Sequence, residues 1–318
     1  MTPAPDEIYM RRALRLARHG ELDASPNPMV GAVIVTPEGR IIGEGWHRKY
    51  GEGHAEVNAI ASVSDESLLR ECTMYVTLEP CSHYGKTPPC AELIIRKRIP
   101  RVVIGTADPF AKVSGRGIAM LRDAGVDVTV GMLQDECLEL NSKFFTAHTL
   151  HRPYITLKWA ESADRYIDGK ISTPLTSVEV HRLRALHDAI LVGSNTWLAD
   201  RPALTVRHYA GHSPQRVVLD RRGRLYGRQE CDDIIILSSY TSLTEAMTLL
   251  YERNITSVLV EGGARVLEAF LREHLFDTIR IERSAGRICG NIKAPELPSA
   301  LKVTSMRIVD NNQIITLQ

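Results

Sequence analysis

The sequence predicts a two-domain α/β protein, and three observations predict it. Short apolar runs alternate with helically spaced segments along both halves of the chain. Metal-ligating residue types crowd into residues 54–90, and the metal chemistry ends well before the middle of the chain. The 318 residues, 44% hydrophobic and 24% charged, have an ordinary globular composition at a length that favours two domains over one. The expected boundaries are 1–147 and 148–318.

Composition also removes several function classes. No run approaches the ~20 apolar residues of a membrane span, and the opening Met1 to Glu7 is polar and acidic, unlike a secretory signal. A formal net charge of +1 argues against a general nucleic-acid binder. Cysteines stand at 72, 81, 90, 137, 231 and 289. In a chain of this size without a signal they point to a reducing cytoplasm. Cys81 and Cys90 are then free for metal, and the other four read as small buried apolar residues.

In the first half, Glu7 to His19 has helical spacing closed by Gly20. Val30 to Val35 reads as a buried strand, and Pro37-Glu38-Gly39 turns into a second strand, Ile41 to Gly45. Glycines at 43, 45, 51 and 53 leave room for close backbone approach around Trp46 and His47. His54 to Val63 looks helical. Met74 to Leu78 is a strand delivering Cys81 at its end. Thr87 can cap a helix with Pro88 at its first position, which places Cys90 in the first turn, where the positive helix end favours a thiolate. Arg101 to Gly105 and Val126 to Val130 are further strands, with a helix over Gly117 to Ala124 between them.

His54, Cys81 and Cys90 offer one imidazole and two thiols, the donor set of a catalytic zinc with its fourth position left to water. Zinc in such a site lowers the pKa of bound water to about 7. Glu56 would carry protons between water and a leaving amine, the logic of the zinc deaminases. His54 and Glu56 are two residues apart and share no helix face, so they converge only if His54 sits in the first turn of a helix. The competing readings are a structural zinc closed by His83 or His47, and three residues that never meet.

Asn27-Pro28-Met29-Val30-Gly31, Gly45-Trp46-His47, His54-Ala55-Glu56 and Leu78-Glu79-Pro80-Cys81-Ser82-His83-Tyr84-Gly85-Lys86-Thr87-Pro88-Pro89-Cys90 closely resemble the riboflavin-biosynthesis pyrimidine deaminase–reductases. The eight-residue gap between the cysteines separates that family from nucleoside and tRNA deaminases. The resemblance implies a cytidine-deaminase-like zinc domain, with zinc on His54, Cys81 and Cys90 and Glu56 shuttling protons. It places Asn27, His47, Lys86 and Thr87 in the pyrimidine pocket. Phe110 stands where the family often has asparagine.

In the second half, His148 to Pro153 reads as the linker and Tyr154 to Lys158 as a strand. Val178 to Leu186 reads as a helix, and Ala189 to Val192 as a strand entering a turn at Gly193 to Thr196. Val217 to Asp220, Ile234 to Leu237 and Ser257 to Val260 are strands, the last entering Glu261-Gly262-Gly263 and a helix over Ala264 to Leu271. No G-x-G-x-x-G is present, so the usual dinucleotide fingerprint is absent. Lys158, Arg182-Leu183-Arg184, the Gly193 to Thr196 turn, Asp200 to Arg207 and Val260 to Gly263 resemble the reductase half of the same family. That implies a dihydrofolate-reductase-like domain in which NADPH reduces a ribosyl group. Arg184, Leu204, Arg207 and Glu261 match substrate positions, and Ala160, Thr196, Asp200 and Gly263 match cofactor positions. The family's Ser-x-Asp-Gly turn is here Ser162-Ala163-Asp164-Arg165, followed by a shortened loop. An arginine takes a positive φ less cheaply than glycine, so a reshaped cofactor pocket is expected.

The expectation is a bifunctional cytoplasmic enzyme using Zn2+ and NADPH on a phosphoribosylaminopyrimidine, with no nucleic-acid or membrane partner, assembled as a dimer or tetramer. Its rivals are a deaminase with a non-catalytic second domain and a zinc-stabilised nucleotide-binding protein without turnover.

Overall fold

The computed structural model describes residues 5–84, 88–108, 115–226 and 233–318. The chain divides into two compact units, Met1–Leu150 and His151–Gln318.

The first unit runs α1 (Pro5–Ala17), β1 (Gly31–Val35), β2 (Ile41–Trp46), α2 (Ala55–Ala61), β3 (Thr73–Leu78), α3 (Cys90–Arg96), β4 (Arg101–Thr106), α4 (Arg116–Asp123), β5 (Asp127–Val130), α5 (Gln134–Leu140) and α6 (Ser142–Leu150). Its sheet has the order β2-β1-β3-β4-β5, antiparallel on both sides of β1 and parallel from β3 onward. β1 and the Val102 to Gly105 core of β4 are apolar and buried because both sheet faces are covered. Ile34, Met74, Val76 and Ile104 pack against α2, α3 and α4, whereas Val33, Tyr75 and Val103 meet α1 and α5. A Cβ on Gly45 would lie 2.2 Å from the Ala59 nitrogen, so glycine there lets α2 sit directly on β2. That contact fixes the start of α2, and with it His54 and Glu56.

The second unit runs β6 (Tyr154–Glu161), α7 (Pro174–Ala185), β7 (Ala189–Gly193), α8 (Ser194–Asp200), β8 (Gln215–Leu219), β9 (Ile234–Leu237), α9 (Leu243–Tyr251), β10 (Ser257–Val260), α10 (Ala264–Arg272), β11 (Thr278–Arg283), β12 (Val303–Val309) and β13 (Asn312–Leu317). The sheet order is β12-β13-β11-β6-β10-β7-β8-β9. Strands from β11 to β9 are parallel, and β13 and β12 close one edge antiparallel. One face packs on α9 and α10 through Met247, Leu250, Leu267 and Phe270. The other carries Ile190, Val192 and Leu259 against Leu183 of α7 and Trp197 of α8. The carboxyl ends of β6, β10 and β7 therefore lie side by side, where open α/β sheets place their ligands.

Several sequence expectations shift. α7 starts at Pro174 rather than Val178, because Thr173 and Thr176 form a reciprocal capping box and proline suits the first turn. The expected Gly193 to Thr196 turn is largely helical, as α8 follows β7 directly. Residues 148–150 of the expected linker belong to α6, and the break falls at His151, whose φ is 51°. Pro88 does not open α3. It precedes another proline, which disfavours helical torsions, so Pro89 is the N-cap and Cys90 the first helical residue.

Candidate active sites

His54 is the N-cap of α2, one position before the first turn where it was expected, with extended torsions of φ −68° and ψ 167°. With His54 at the cap and Glu56 inside the first turn, residues two apart both reach the cluster. Cys81 follows β3, and Cys90 opens α3. The His54 Nδ1 lies 3.3 Å from Cys90 Sγ and 3.6 Å from Cys81 Sγ, and the three ligand atoms all fall within 4.8 Å of one another. Zinc–sulfur and zinc–nitrogen bonds of ordinary length span a tetrahedral edge of about 3.6 Å. The donors therefore fit zinc in number, chemistry and spacing, and Nδ1 is the nitrogen presented. Among the described residues no other group of three or more such side chains gathers, and His47 and His83 are not members of this one.

The groups of the cluster shift one another's protonation. The hydrogen bond from Cys90 is the chief influence that lowers the Cys81 thiol, followed among the lowering influences by His54. Hydrogen bonding to Cys81 raises His54 to about 9 despite burial. Cys90 is raised by its bond to Cys81 and by burial. The Cys90 backbone N–H also donates to Cys81 Sγ at 3.2 Å, so the α3 start supports the thiolate directly. Glu56 is 3% exposed, and burial raises its carboxyl to about 7. It stands within hydrogen-bonding reach of Cys90 and within the field of His54.

Beside the cluster, the buried His47 ring meets the His54 ring edge-on at 5.6 Å. Its Nε2 is 3.2 Å from Asn27 Nδ2, and its Nδ1 3.3 Å from the Gly53 carbonyl. The structure thus groups Asn27, His47, His54 and Glu56. Lys86, Thr87 and Phe110 lie outside the described residues.

In the second unit Glu261 follows β10 and receives Arg184 of α7 through two bonds, Nε at 2.9 Å and Nη2 at 2.7 Å. Arg184 Nη1 also donates to the Thr205 carbonyl at 3.1 Å. Burial acts to raise Glu261, but the Arg184 bonds and the Lys158 charge overcome it and hold the carboxyl below its ordinary range. Arg184, expected as a phosphate partner, is thus largely engaged within the protein, whereas the exposed Arg207 makes one side-chain bond, to Thr205 Oγ1. Gly263 has φ 63°, and a Cβ there would stand 2.7 Å from Thr196 Oγ1, so these two residues face one another. Asp200 ends α8, exposed, one turn after Thr196, and Ala160 lies near the carboxyl end of β6.

The expected disturbance at Arg165 takes a different form. The residue adopts φ 65°, the conformation glycine would have supplied, and the turn closes with its N–H on the Ser162 carbonyl. Its guanidinium donates to the Pro295 carbonyl at 2.9 Å and sits 3.3 Å from the buried Glu161. Side-chain anchoring offsets the backbone strain, so the turn is kept.

Comparison with known proteins joins the two sites. Residues 3–106 match the cytidine and deoxycytidylate deaminase zinc-binding region, and residues 153–315 match the RibD C-terminal domain. The riboflavin biosynthesis protein RibD of Aquifex aeolicus is 38% identical over 344 residues, covering 95% of each chain. That of Escherichia coli is 36% identical, covering 86% of each. This chain belongs to the RibD family. The crystal structure of a Thermotoga maritima diaminohydroxyphosphoribosylaminopyrimidine deaminase/5-amino-6-(5-phosphoribosylamino)uracil reductase superposes with a TM-score of 0.89 at 36% identity, covering 99% of this chain and 98% of that one. Acinetobacter baumannii RibD gives 0.89 at 32%, covering 98% of both. The chain is accordingly a bifunctional riboflavin-biosynthesis enzyme, a zinc-binding deaminase domain followed by a reductase domain.

Two further residues matter to the first site without being visible as candidates in the sequence. Glu79, two residues before Cys81, is buried and accepts four backbone N–H groups, from Asp108, Gly115, Gly117 and Ile118, at 2.9–3.2 Å. It ties the segment carrying Cys81 to the start of α4. Asn58 donates to the carbonyls of Trp46 and Gly53 and so fixes the chain entering His54. The available signal was only a lone acid before a proline, and an asparagine four residues after a ligand.

Proposed function

We propose that the first unit hydrolyses the 2-amino group of 2,5-diamino-6-(5-phosphoribosylamino)pyrimidin-4-one and releases ammonia. The second unit then uses NADPH to reduce the ribosyl side chain to ribityl. The observation that carries this reading is the three-donor cluster of His54, Cys81 and Cys90 with a buried carboxylate beside it, in a chain matched end to end by RibD proteins. A closed structural zinc takes four protein ligands, and only three gather among the described residues.

Zinc held by His54 Nδ1, Cys81 and Cys90 supplies a Lewis acid and an activated water. Glu56 takes the proton of the attacking water and returns it to the departing nitrogen, and its burial keeps bulk water from competing. Asn27 and His47, paired to one another, line the pyrimidine side, with Lys86 and Thr87 assigned there by family resemblance. In the second unit NADPH supplies the hydride. Ala160, Thr196, Asp200 and Gly263 hold the cofactor, and Gly263 suits it because its missing Cβ opens the space facing Thr196. Leu204, Arg184, Glu261 and Arg207 hold the substrate, with the Arg207 guanidinium the better placed of the two for a phosphate.

A reducing cytoplasm suits the free thiols of Cys81 and Cys90, and no described helix is long and apolar enough to cross a membrane. Exposed Val303, Met306 and Ile308 on the edge strand β12 suit a homo-oligomer, dimer or tetramer. The test supplies purified chain with zinc, the aminated pyrimidine and NADPH. One ammonia released per NADPH oxidised is expected. Ammonia without any NADPH oxidation, even when the deaminated intermediate is added directly, would leave a deaminase with a non-catalytic second domain.

A further inference from the structure

Two side chains one turn apart on α7 hold the two ends of a single peptide segment. Arg184 donates to the Thr205 carbonyl at 3.1 Å, and His181 Nδ1 accepts the Arg207 backbone N–H at 2.8 Å. Between them the Val206 N–H goes to Ser213 Oγ at 3.0 Å. The segment belongs to no strand, and side chains satisfy these three of its backbone groups. Leu204, which leads into it, is 3% exposed and has φ 55°, a torsion a bulky residue keeps only when its surroundings hold it.

We propose that His181 is a positioning residue of the reductase half: its neutral imidazole fixes the Leu204 to Arg207 segment so that the Arg207 guanidinium faces the substrate. The inference rests on the reading above that Leu204 and Arg207 contact substrate. A backbone N–H can only donate, so Nδ1 carries no proton and the ring proton sits on Nε2. An imidazolium has no acceptor and would set one N–H against another. The surroundings keep the neutral form. His181 is 3% exposed, and burial, the charges of Arg184 and Arg207, and the His208 ring at 4.7 Å together lower it to about 4, with Glu261 acting in the opposite sense. Arg184 is itself fixed by Glu261, so the clamp hangs from a rigid helix face.

The test measures KM and kcat of the reductase with the deaminated substrate, NADPH affinity by fluorescence, and ammonia release by the same chain. His181→Leu removes the acceptor of the part-buried Arg207 N–H. It is expected to raise the reductase KM roughly tenfold, with kcat changed less than about twofold. His181→Asn returns an oxygen near the Nδ1 position and is expected to bring KM back within about threefold of wild type. NADPH affinity and ammonia release are expected to stay unchanged in both. Should His181→Leu fail to fold, His181→Gln, whose oxygen lies one atom too far along, serves as the acceptor-deficient variant with the same expected rise. An unchanged KM, or a fall in kcat alone, overturns the proposal. Arg207→Ala separates it from the reading beneath it. If that variant leaves KM unchanged, the substrate assignment of the segment fails. If it raises KM while the acceptor-deficient variant does not, only the role of His181 fails.

Discussion

In the first unit three ligand atoms arrive from residues 54, 81 and 90 and meet within 4.8 Å, each placed by a helix start or a strand end. In the second unit the charged centre joins Arg184 to Glu261, 77 residues apart in sequence, and the residues around it come from β6, α7, α8 and the turn after β10. The first site is a compact donor set that zinc can complete. The second is a largely buried ion pair with a peptide segment hung from it, and it is already closed by its own hydrogen bonds. The difference teaches that the two activities should fail separately and for different physical reasons.

Metal removal gives the widest separation. Exhaustive chelation is expected to abolish ammonia release and to leave NADPH oxidation of the deaminated substrate unchanged, with activity restored by added zinc. Loss of both activities together would show that the sites are not independent. Next in size, Arg184→Ala leaves the Glu261 carboxylate buried without its partner. It is expected to destabilise the second unit by about 3–5 kcal/mol in denaturant unfolding while ammonia release persists. A cost near zero would mean that Glu261 finds another partner.

A smaller effect is expected at Asn141, which bridges both the N–H and the carbonyl of Met29 at 2.8 Å and so holds the chain next to Asn27. Asn141→Ala is expected to lower the stability of the first unit by about 1–3 kcal/mol, read as a shift in its unfolding midpoint. The smallest is a pH slope. Burial lowers the folded pKa of His181 from 6.5 to about 4, so between those values the unfolded chain binds the extra proton. This contribution is therefore intact above about pH 6.5 and is lost as pH falls toward 4. The slope is at most about 1.4 kcal/mol per pH unit. His181→Asn should flatten that slope in the second unit and leave the first unit's acid unfolding as it was.

The same contrast decides how far the sequence could be read. The strand cores were legible because β1, β7, Val102 to Gly105 of β4 and Val258 to Val260 of β10 are continuous buried apolar runs. His54, Glu56, Cys81 and Cys90 were legible because few chemistries use those residue types together. The α7 start was hidden, since a capping box of two threonines before a proline looks like loop composition. Glu79 was hidden because its partners among the described residues are backbone N–H groups that no motif records. Leu204, Ala160 and Gly263 are ordinary residue types, so only likeness to a known family singled them out. The anchoring of Arg165 was hidden, because sequence shows the lost glycine but not the Pro295 carbonyl that receives the guanidinium.

The proposed deamination depends most directly on Glu56, and one substitution tests it. Glu56→Gln keeps the size and polarity of the side chain but cannot take up the proton of the attacking water. The variant is expected to retain one zinc per chain and to oxidise NADPH normally with the deaminated substrate, while ammonia release falls by about 10²–10⁴-fold. Ammonia release at the wild-type rate from the zinc-loaded variant would contradict the account.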